Sequence, residues 1–177
     1  FFTATIPHSY IGWGKTTHLG YGIPLMIGAK LARPEKFCMN LMGDGAFGMS
    51  GLDIETAGRI GAPITTVLLN NGDMATYPGG YPVAREKFAV TRMTGDYAKI
   101  AEGLGAVGIV VKQPAEIAPA LAKARTLNKE GKTVLFVGGK KESSMAVESA
   151  AQSLNMPYVS GRWIGGTLTN FTQIRKR

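Results

Sequence analysis

The sequence has little of the residues from which many common sites are built. It contains one cysteine and two histidines among 177 residues. A disulfide within the chain is therefore excluded, and a single cysteine, Cys38, in an apolar run indicates a reducing, cytoplasmic setting. His8 and His18 are too few and too isolated to predict a histidine-based metal cluster, and a structural or solvent-facing role is favoured for His18.

Long apolar runs are also missing. No stretch approaches the ~20 residues that a helix needs to cross a bilayer. The opening FFTATIPHSY places no charged segment before an apolar one, so we expect no signal peptide. The hydrophobic content of 45% and mean hydropathy of +0.04 are instead typical of a globular chain with a sizeable core. The length fits one domain, or one domain with an appendage.

Acidic residues are fewer than basic ones, and the excess of basic residues is larger in the C-terminal part of the chain. Residues 1–125 carry 12 Lys and Arg against 9 Asp and Glu, whereas residues 126–177 carry 8 against 3. The whole chain has a net charge of +8. This asymmetry indicates a polyanionic partner for the C-terminal part, although basic surfaces are often only solvated faces.

Residues 36–71 predict a strand, a loop, a helix and a second strand. KFCMNLM (36–42) is an apolar run of strand length, GDG follows it, FGMSGLDIETAGRIG has helical spacing, and PITTVLLNN is β-branched. In such a crossover Asp44 and Asn71 lie at the carboxyl ends of two parallel strands, where open α/β sheets bind ligands. A carboxylate and an amide oxygen beside an anion-binding turn predict a hard cation that bridges the protein to a diphosphate.

The rest of the chain up to residue 139 continues the alternation. Residues 72–95 predict a long loop over the ligand rim, and GDYAKIAEGLG predicts a helix capped by Asp96. A strand, AVGIVV, follows, and after it come a helix with Pro114 near its start and another strand, KTVLFVGG. We therefore predict an α/β fold, a three-layer α/β/α domain with a mainly parallel sheet covered on both faces.

GDG followed by NN, with 27 positions from Asp44 to Asn71, resembles the fingerprint of thiamine-diphosphate enzymes. HLGYGIPLMIGAKLARPEKF resembles the same domain in the acetolactate synthase and 2-oxoacid decarboxylase group, and the likeness runs from about Ser9 to about Thr126. The resemblance implies thiamine diphosphate and Mg²⁺ as cofactors. It implies that the side chains of Asp44 and Asn71 and the main-chain carbonyl of Asp73 bind Mg²⁺.

The same resemblance implies the cofactor contacts. Gly43 lies in the diphosphate turn, and Gly45 and Ala46 would offer main-chain N–H groups. Many relatives have Ser where this chain has Ala46, so a hydroxyl contact is missing. Leu19 matches the bulky apolar residue that wedges the cofactor into its bent shape, and the carbonyl of Thr17 would accept a bond from the aminopyrimidine.

No catalytic residue is assigned in this chain. In the resembled family the glutamate that activates the aminopyrimidine belongs to another domain, and no acidic residue here takes that role. We expect at most weak binding of thiamine diphosphate with Mg²⁺ and no efficient lyase or transferase activity from the chain alone. A complementary pyrimidine-binding domain or a homo-oligomer is the expected partner.

Residues from about Lys132 to Arg177 resemble a different family, the bacterial small-subunit ribosomal protein of the S-two family. The matching stretches are VLFVGGKK, MPYVSGRWIGGTLTNF and IRKR. The resemblance implies contact with ribosomal RNA through a signature loop and a basic tail. The candidate RNA-binding residues are Arg162, Trp163, Thr167, Thr169, Asn170, Arg175, Lys176 and Arg177, although a Trp beside Ile164 is more often a packing anchor.

The chain is thus expected to be chimeric. We divide it into residues 1–131, a thiamine-diphosphate-binding-like domain, and residues 132–177, a ribosomal S-two-like strand, helix and strand that complete the same sheet. The joint falls in a helix and strand that both families share, and the helix ESSMAVESAAQSLN would pack on the sheet before a short strand, MPYVS. An engineered or recombined α/β scaffold without native activity is a third interpretation.

Overall fold

The computed structural model describes residues 4, 6–12, 18–74 and 80–139. Its four strands are β1 (Met39–Gly43), β2 (Thr65–Asn70), β3 (Val107–Val111) and β4 (Val134–Gly139). Its helices are α1 (Gly22–Ala32), α2 (Asp44–Ser50), α3 (Asp53–Arg59), α4 (Pro82–Phe88), α5 (Tyr97–Gly103) and α6 (Ile117–Lys129), with a 3₁₀ turn at Pro114–Glu116. Within the described residues, no helix is long and apolar enough to span a membrane.

The four strands form one parallel sheet in the order β1-β2-β4-β3. β4 comes last in the described chain and yet lies between β2 and β3. Phe136 of β4 pairs with Val67 of β2 on one side and with Ile109 of β3 on the other. Parallel neighbours require crossover connections, and helices supply them here. The predicted parallel α/β fold is confirmed.

Helices cover both faces of the sheet. On one face α1, α2, α3 and α5 pack over a core that includes Met42, Leu68 and Leu135. On the other face α6 packs against a smaller cluster that includes Val67 and Val111. Neighbouring residues along β2, Val67 and Leu68, therefore enter different cores, as the two-residue repeat of a strand requires. The described part of the chain has the predicted three layers.

The predicted helix over residues 47–61 is in fact two helices. The break lies at Gly51, where the pattern changes to i to i+3 bonds from Ile54 N to Gly51 O and from Glu55 N to Leu52 O. A Cβ on Gly51 would lie 2.7 Å from a ring carbon of Phe47 and 2.8 Å from its carbonyl oxygen. Glycine thus lets the Phe47 ring fold back into the core, and the apolar spacing alone did not reveal the break.

The predicted loop over residues 72–95 is partly wrong, because it contains α4. Pro82 begins this helix, which suits a residue whose missing N–H would have no helical partner. Tyr81 before it and Ala89 after it have left-handed backbone angles. The first predicted strand also begins later than expected, at Met39 rather than Lys36.

Two local predictions are confirmed. Asp96 caps α5 by accepting a hydrogen bond from Lys99 N at 3.2 Å. Pro114 begins the 3₁₀ turn that leads into α6. The division at residues 131 and 132 stays a prediction, and so do the helix and strand expected after β4, which lie outside the described residues.

Candidate functional site

The ends of β1 and β2 bring Asp44 next to the loop that follows Asn70. Gly43 pairs with Leu69, so the residues after these two positions leave the sheet at the same edge. Asp44 begins α2 and is only 1% exposed, and its Oδ2 accepts a hydrogen bond from Gly72 N at 2.7 Å. The predicted convergence of Asp44 with the Asn71 loop is therefore observed.

The loop after β2 is held by hydrogen bonds that its main chain makes with Asn71 and with residues 91–93. Asn71 Oδ1 accepts a hydrogen bond from Asp73 N at 3.0 Å, which closes an Asx turn. Gly72 has a φ of +69°, a backbone conformation that residues with a Cβ rarely adopt. Its carbonyl accepts from Met93 N at 3.0 Å, and Met74 N donates to Thr91 O at 2.7 Å. Residues 91–93 thus hold the loop through main-chain hydrogen bonds.

Asp73 uses its two carboxylate oxygens differently. Oδ2 accepts a hydrogen bond from the Arg85 guanidinium at 2.6 Å and forms an ion pair with it. Oδ1 is buried and has no hydrogen-bond partner within the described residues. A buried carboxylate oxygen without a partner costs free energy, so this atom marks a place where a donor or a cation would be favourable.

Asp44 is a buried carboxylate with aromatic side chains nearby. Its Oδ1 accepts from Gly45 N at 2.9 Å, so neutral main-chain groups bind both carboxylate oxygens. Burial raises the pKa of the nearby Tyr97 phenol, and the Asp44 charge raises it further. The ring of Tyr97 packs edge-on against Phe47, with 5.6 Å between centroids. A carboxylate buried in this way is stabilised when a cation binds it.

The donor atoms at this edge suit a magnesium-like ion. They are the carboxylate of Asp44, the amide oxygen of Asn71 and the main-chain carbonyl of Asp73, and oxygen is the ligand atom that hard cations prefer. In the part of the chain that the structure describes, no three His, Cys, Asp or Glu side chains form a metal cluster. An ion here would thus depend on few protein carboxylates and on oxygens of a bound phosphate, as is usual for Mg²⁺.

The predicted diphosphate turn lies directly beside these residues. Gly45 is buried, and a Cβ added to it would lie 2.9 Å from Cγ of Met74. Nothing lies within 4 Å of a Cβ built on Gly43, so that side of the turn is open. The N–H of Gly45 is occupied by Asp44, whereas Ala46 lies half-buried one position further along α2.

Leu19 borders an open cavity of about 450 Å³ beside α2. Leu19 is 41% exposed, and the cavity is also lined by His18, Gly20, Tyr21, Pro24, Met49 and Ser50. Ser50 Oγ donates a hydrogen bond to the carbonyl of Gly20, so the end of α2 holds the HLGYG segment in place. Thr17, the predicted aminopyrimidine contact, lies outside the described residues.

The sequence did not single out Arg85, Met49 or Ser50. Ser50 is four positions after Ala46, and that helical spacing was an available sign that it shares a face of α2 with the predicted turn. Arg85 carried no such sign, because it lies in a segment that was predicted to be a loop.

Comparison with known proteins assigns most of the chain. The family model of the thiamine pyrophosphate enzyme C-terminal TPP-binding domain matches residues 1–137. The chain belongs to this family. The acetolactate synthase large subunit of Corynebacterium glutamicum is 31% identical to it over 155 residues, which cover 83% of the chain and 25% of that protein. The TPP-binding domain family implies thiamine diphosphate as its ligand.

A solved structure supports the same assignment. The thiamine diphosphate-dependent 4-hydroxybenzoylformate decarboxylase of Rhodococcus jostii RHA1 superposes with a TM-score of 0.57 and 26% identity, over 67% of this chain and 22% of the other. The TPP-binding domain described here thus spans about a quarter of the length of the relatives that it matches.

The end of the chain matches a second family. The ribosomal protein S2 model covers residues 110–177. The small ribosomal subunit protein uS2 of Nitratiruptor sp. is 58% identical over 52 residues, 29% of this chain and 20% of that protein. Both family models match residues 110–137, the region where the sequence predicted a shared helix and strand. The predicted resemblance to two families is confirmed.

The candidate RNA-binding residues all lie outside the described part of the chain. They are Arg162, Trp163, Thr167, Thr169, Asn170, Arg175, Lys176 and Arg177. Their assignment stays a prediction that depends on the resemblance to the ribosomal family.

Proposed function

We propose that this chain is the part of an acetolactate-synthase-like or 2-oxoacid-decarboxylase-like enzyme that binds thiamine diphosphate and Mg²⁺. The observation that carries the proposal is the hydrogen bond from Gly72 N to the buried Asp44 carboxylate. It joins the GDG turn to the NN loop, and these are the two motifs on which the cofactor prediction depends.

In this proposal the rim residues have separate tasks. The side chains of Asp44 and Asn71 and the main-chain carbonyl of Asp73 hold the cation. Gly43, Gly45 and Ala46 would hold the diphosphate, and the N–H of Gly45, which donates to Asp44 Oδ1 in this structure, would be a donor for a phosphate oxygen.

The cavity beside α2 would hold the remaining part of the cofactor. Leu19 would support its bent shape, and the carbonyl of Thr17 would accept a hydrogen bond from the aminopyrimidine. When bound, the cofactor supplies the carbon–carbon bond chemistry, and the protein supplies orientation and electrostatics.

The chain is proposed to be inactive alone. Among the described residues that line the Leu19 cavity, none is a carboxylate: they are His18, Leu19, Gly20, Tyr21, Pro24, Met49 and Ser50. In this proposal the glutamate for the aminopyrimidine comes from a complementary pyrimidine-binding domain. This requirement separates cofactor binding, expected here, from lyase or transferase activity, which is not.

Calorimetric titration tests the binding proposal. Thiamine diphosphate is titrated into the chain with and without Mg²⁺, and heat is expected only when both are present. Asp44→Asn removes the buried charge and keeps the side-chain shape, so it is expected to abolish this heat. Asp96→Asn is the matched control, because it also removes one carboxylate charge and an asparagine can still cap α5. Equal heats for the parent and Asp44→Asn would overturn the proposal.

The match to ribosomal protein S2 favours a second candidate function, RNA binding by the C-terminal part. Phosphate contacts by Arg175, Lys176 and Arg177 would make affinity fall steeply as salt rises. Binding of an RNA hairpin is measured across salt concentrations for the parent and for Arg175→Ala/Arg177→Ala. Arg33→Ala/Arg59→Ala is the matched control, because it removes the same charge from residues outside the C-terminal part.

If neither cofactor nor RNA binds, the third interpretation is favoured. The chain is then a recombined α/β scaffold in which a sheet forms without native activity. Its cooperative unfolding would be retained while both binding assays are silent.

A further inference from the structure

The HLGYG segment is joined to the end of α2 by a side-chain hydrogen bond. Ser50 Oγ donates to the carbonyl of Gly20, across 30 positions of sequence. Ser50 is half-buried, and it lines the same cavity as Gly20 and Leu19. The bond therefore ties the main chain next to Leu19 to the helix that begins at the proposed diphosphate turn.

Gly20 also packs closely on α2. Its φ is +85°, a backbone conformation that residues with a Cβ rarely adopt. A Cβ built on it would lie 2.9 Å from Cβ of Met49 and 3.4 Å from the carbonyl oxygen of Ala46. The main chain at Gly20 is thus in close contact with the helical turn that runs from Ala46 to Ser50.

That helical turn connects two parts of the proposed site. The proposed diphosphate turn is at the start of α2, and Ser50 is the last residue of this helix. From Ala46 to Ser50 the helix rises by about 6 Å. The cavity that Ser50 lines has the exposed apolar side chains of Leu19 and Met49 in its wall. α2 therefore sets the distance between the proposed diphosphate contacts and this apolar wall.

We propose that Ser50 is a positioning residue that holds Leu19 in place for the thiamine part of the cofactor. This inference rests on the proposed function and adds a residue that acts on one part of the ligand. The diphosphate end of the site has a hydrogen bond of its own, from Gly72 N to Asp44. Loss of the Ser50 hydroxyl therefore leaves that end unchanged, but the Leu19 segment then has to be ordered when the cofactor binds, which lowers affinity.

The test compares two ligands, thiamine diphosphate and inorganic diphosphate, each titrated with Mg²⁺ into the full chain. Ser50→Ala removes only the hydroxyl. It is expected to weaken the binding of thiamine diphosphate by about fivefold, the factor that corresponds to one hydrogen bond of ordinary net strength. The affinity for inorganic diphosphate is expected to stay at the parent value. Ser50→Thr keeps a hydroxyl and is expected to restore most of the affinity for thiamine diphosphate.

A double-mutant cycle tests whether Ser50 acts through Leu19. Leu19→Ala is expected to weaken the binding of thiamine diphosphate by itself. In that background Ser50→Ala is expected to have no further effect, because the side chain that it positions is gone.

Thr126→Val is the matched control, because it too removes only a hydroxyl that donates to a main-chain carbonyl. Thr126 lies in α6, on the other face of the sheet, and its Oγ1 donates to Ala122 O at 3.3 Å. Its affinities for both ligands are expected to equal those of the parent. Thermal unfolding of each ligand-free variant shows whether it is folded at the temperature of the titrations.

The outcomes separate this inference from the proposed function. A parent chain that binds neither ligand overturns both. A parent chain that binds thiamine diphosphate, with the same affinity in Ser50→Ala, overturns the positioning role alone. The role is also overturned if Ser50→Ala weakens both ligands equally, is unfolded at the titration temperature or is not rescued by Ser50→Thr, because each result indicates a merely structural role. An effect of Ser50→Ala that persists in the Leu19→Ala background overturns the route through Leu19.

Discussion

The carboxylate of Asp44 accepts a hydrogen bond from the main-chain N–H of Gly72 across 28 positions of sequence. This bond connects the loops that follow two neighbouring parallel strands, and it does so with a side chain that is almost wholly buried. The geometry of the candidate metal site is therefore set by the pairing of β1 with β2 rather than by any local motif. Both loops must keep their conformation for the site to exist.

Gly72→Ala is expected to destabilise the fold and to weaken cofactor binding. Gly72 has a φ of +69°, and the nearest atom to an added Cβ, Met93 O, would be at 3.6 Å, so the cost is in the backbone conformation rather than in a clash. That cost is about 1 kcal/mol. Chemical denaturation measures it, and titration with thiamine diphosphate and Mg²⁺ measures the loss of binding.

Gly61→Ala is the control for that change. Gly61 has a φ of +68°, nearly the same as Gly72, and its added Cβ would meet nothing within 4 Å. The two variants should lose similar free energies of unfolding, but only Gly72→Ala should lose affinity. Equal affinities in the two variants would show that the loop conformation at Gly72 does not matter for binding.

The free energy of unfolding is expected to fall at alkaline pH through Tyr97. Burial, and then the charge of Asp44, raises the pKa of Tyr97 in the folded state above its ordinary value. The neutral phenol is thus favoured by folding, so its contribution is fully present below about pH 10, the unfolded pKa, and is lost as pH rises beyond it.

Tyr97→Phe should flatten that alkaline decline. The measurement compares unfolding free energies between pH 8 and pH 11 in a Cys38→Ala background, because burial also raises the pKa of the Cys38 thiol and acts in the same direction. A decline that is equally steep with Phe at position 97 would contradict the assignment to this phenol.

Asn128→Ala should reduce stability without affecting the rim. Asn128 is buried near the end of α6, and its Nδ2 donates to Lys132 O at 2.8 Å and to Ile64 O at 3.2 Å. Its removal leaves two carbonyls near the starts of β2 and β4 without this donor, a loss of about 1–3 kcal/mol. Denaturation should show that loss while the affinity for Mg²⁺ and thiamine diphosphate stays at the parent value. A parallel fall in affinity would mean that both ends of the sheet are coupled.

Sequence patterns predicted individual elements well where local interactions form them. The apolar runs of β2 and β4 and the capping residue Asp96 were recognised because burial and capping impose residue types at short range. The single predicted helix over residues 47–61 was wrong because the Phe47 ring occupies the space beside Gly51, a contact that spacing does not show. α4 was missed because Pro, Gly and Tyr around it are equally typical of a loop.

By itself, the sequence determined the class of fold, the two families joined in the chain and the chemical types at the rim, since apolar periodicity and acid or amide residues at strand ends are local properties. Only the tertiary structure decided the strand order, with β4 between β2 and β3, and the contacts of Asp44 with Gly72 and of Asp73 with Arg85. These contacts depend on which strands pair and how the helices pack over them. Strand pairing depends on the apolar area buried across the whole domain, and no short stretch of residues determines that area.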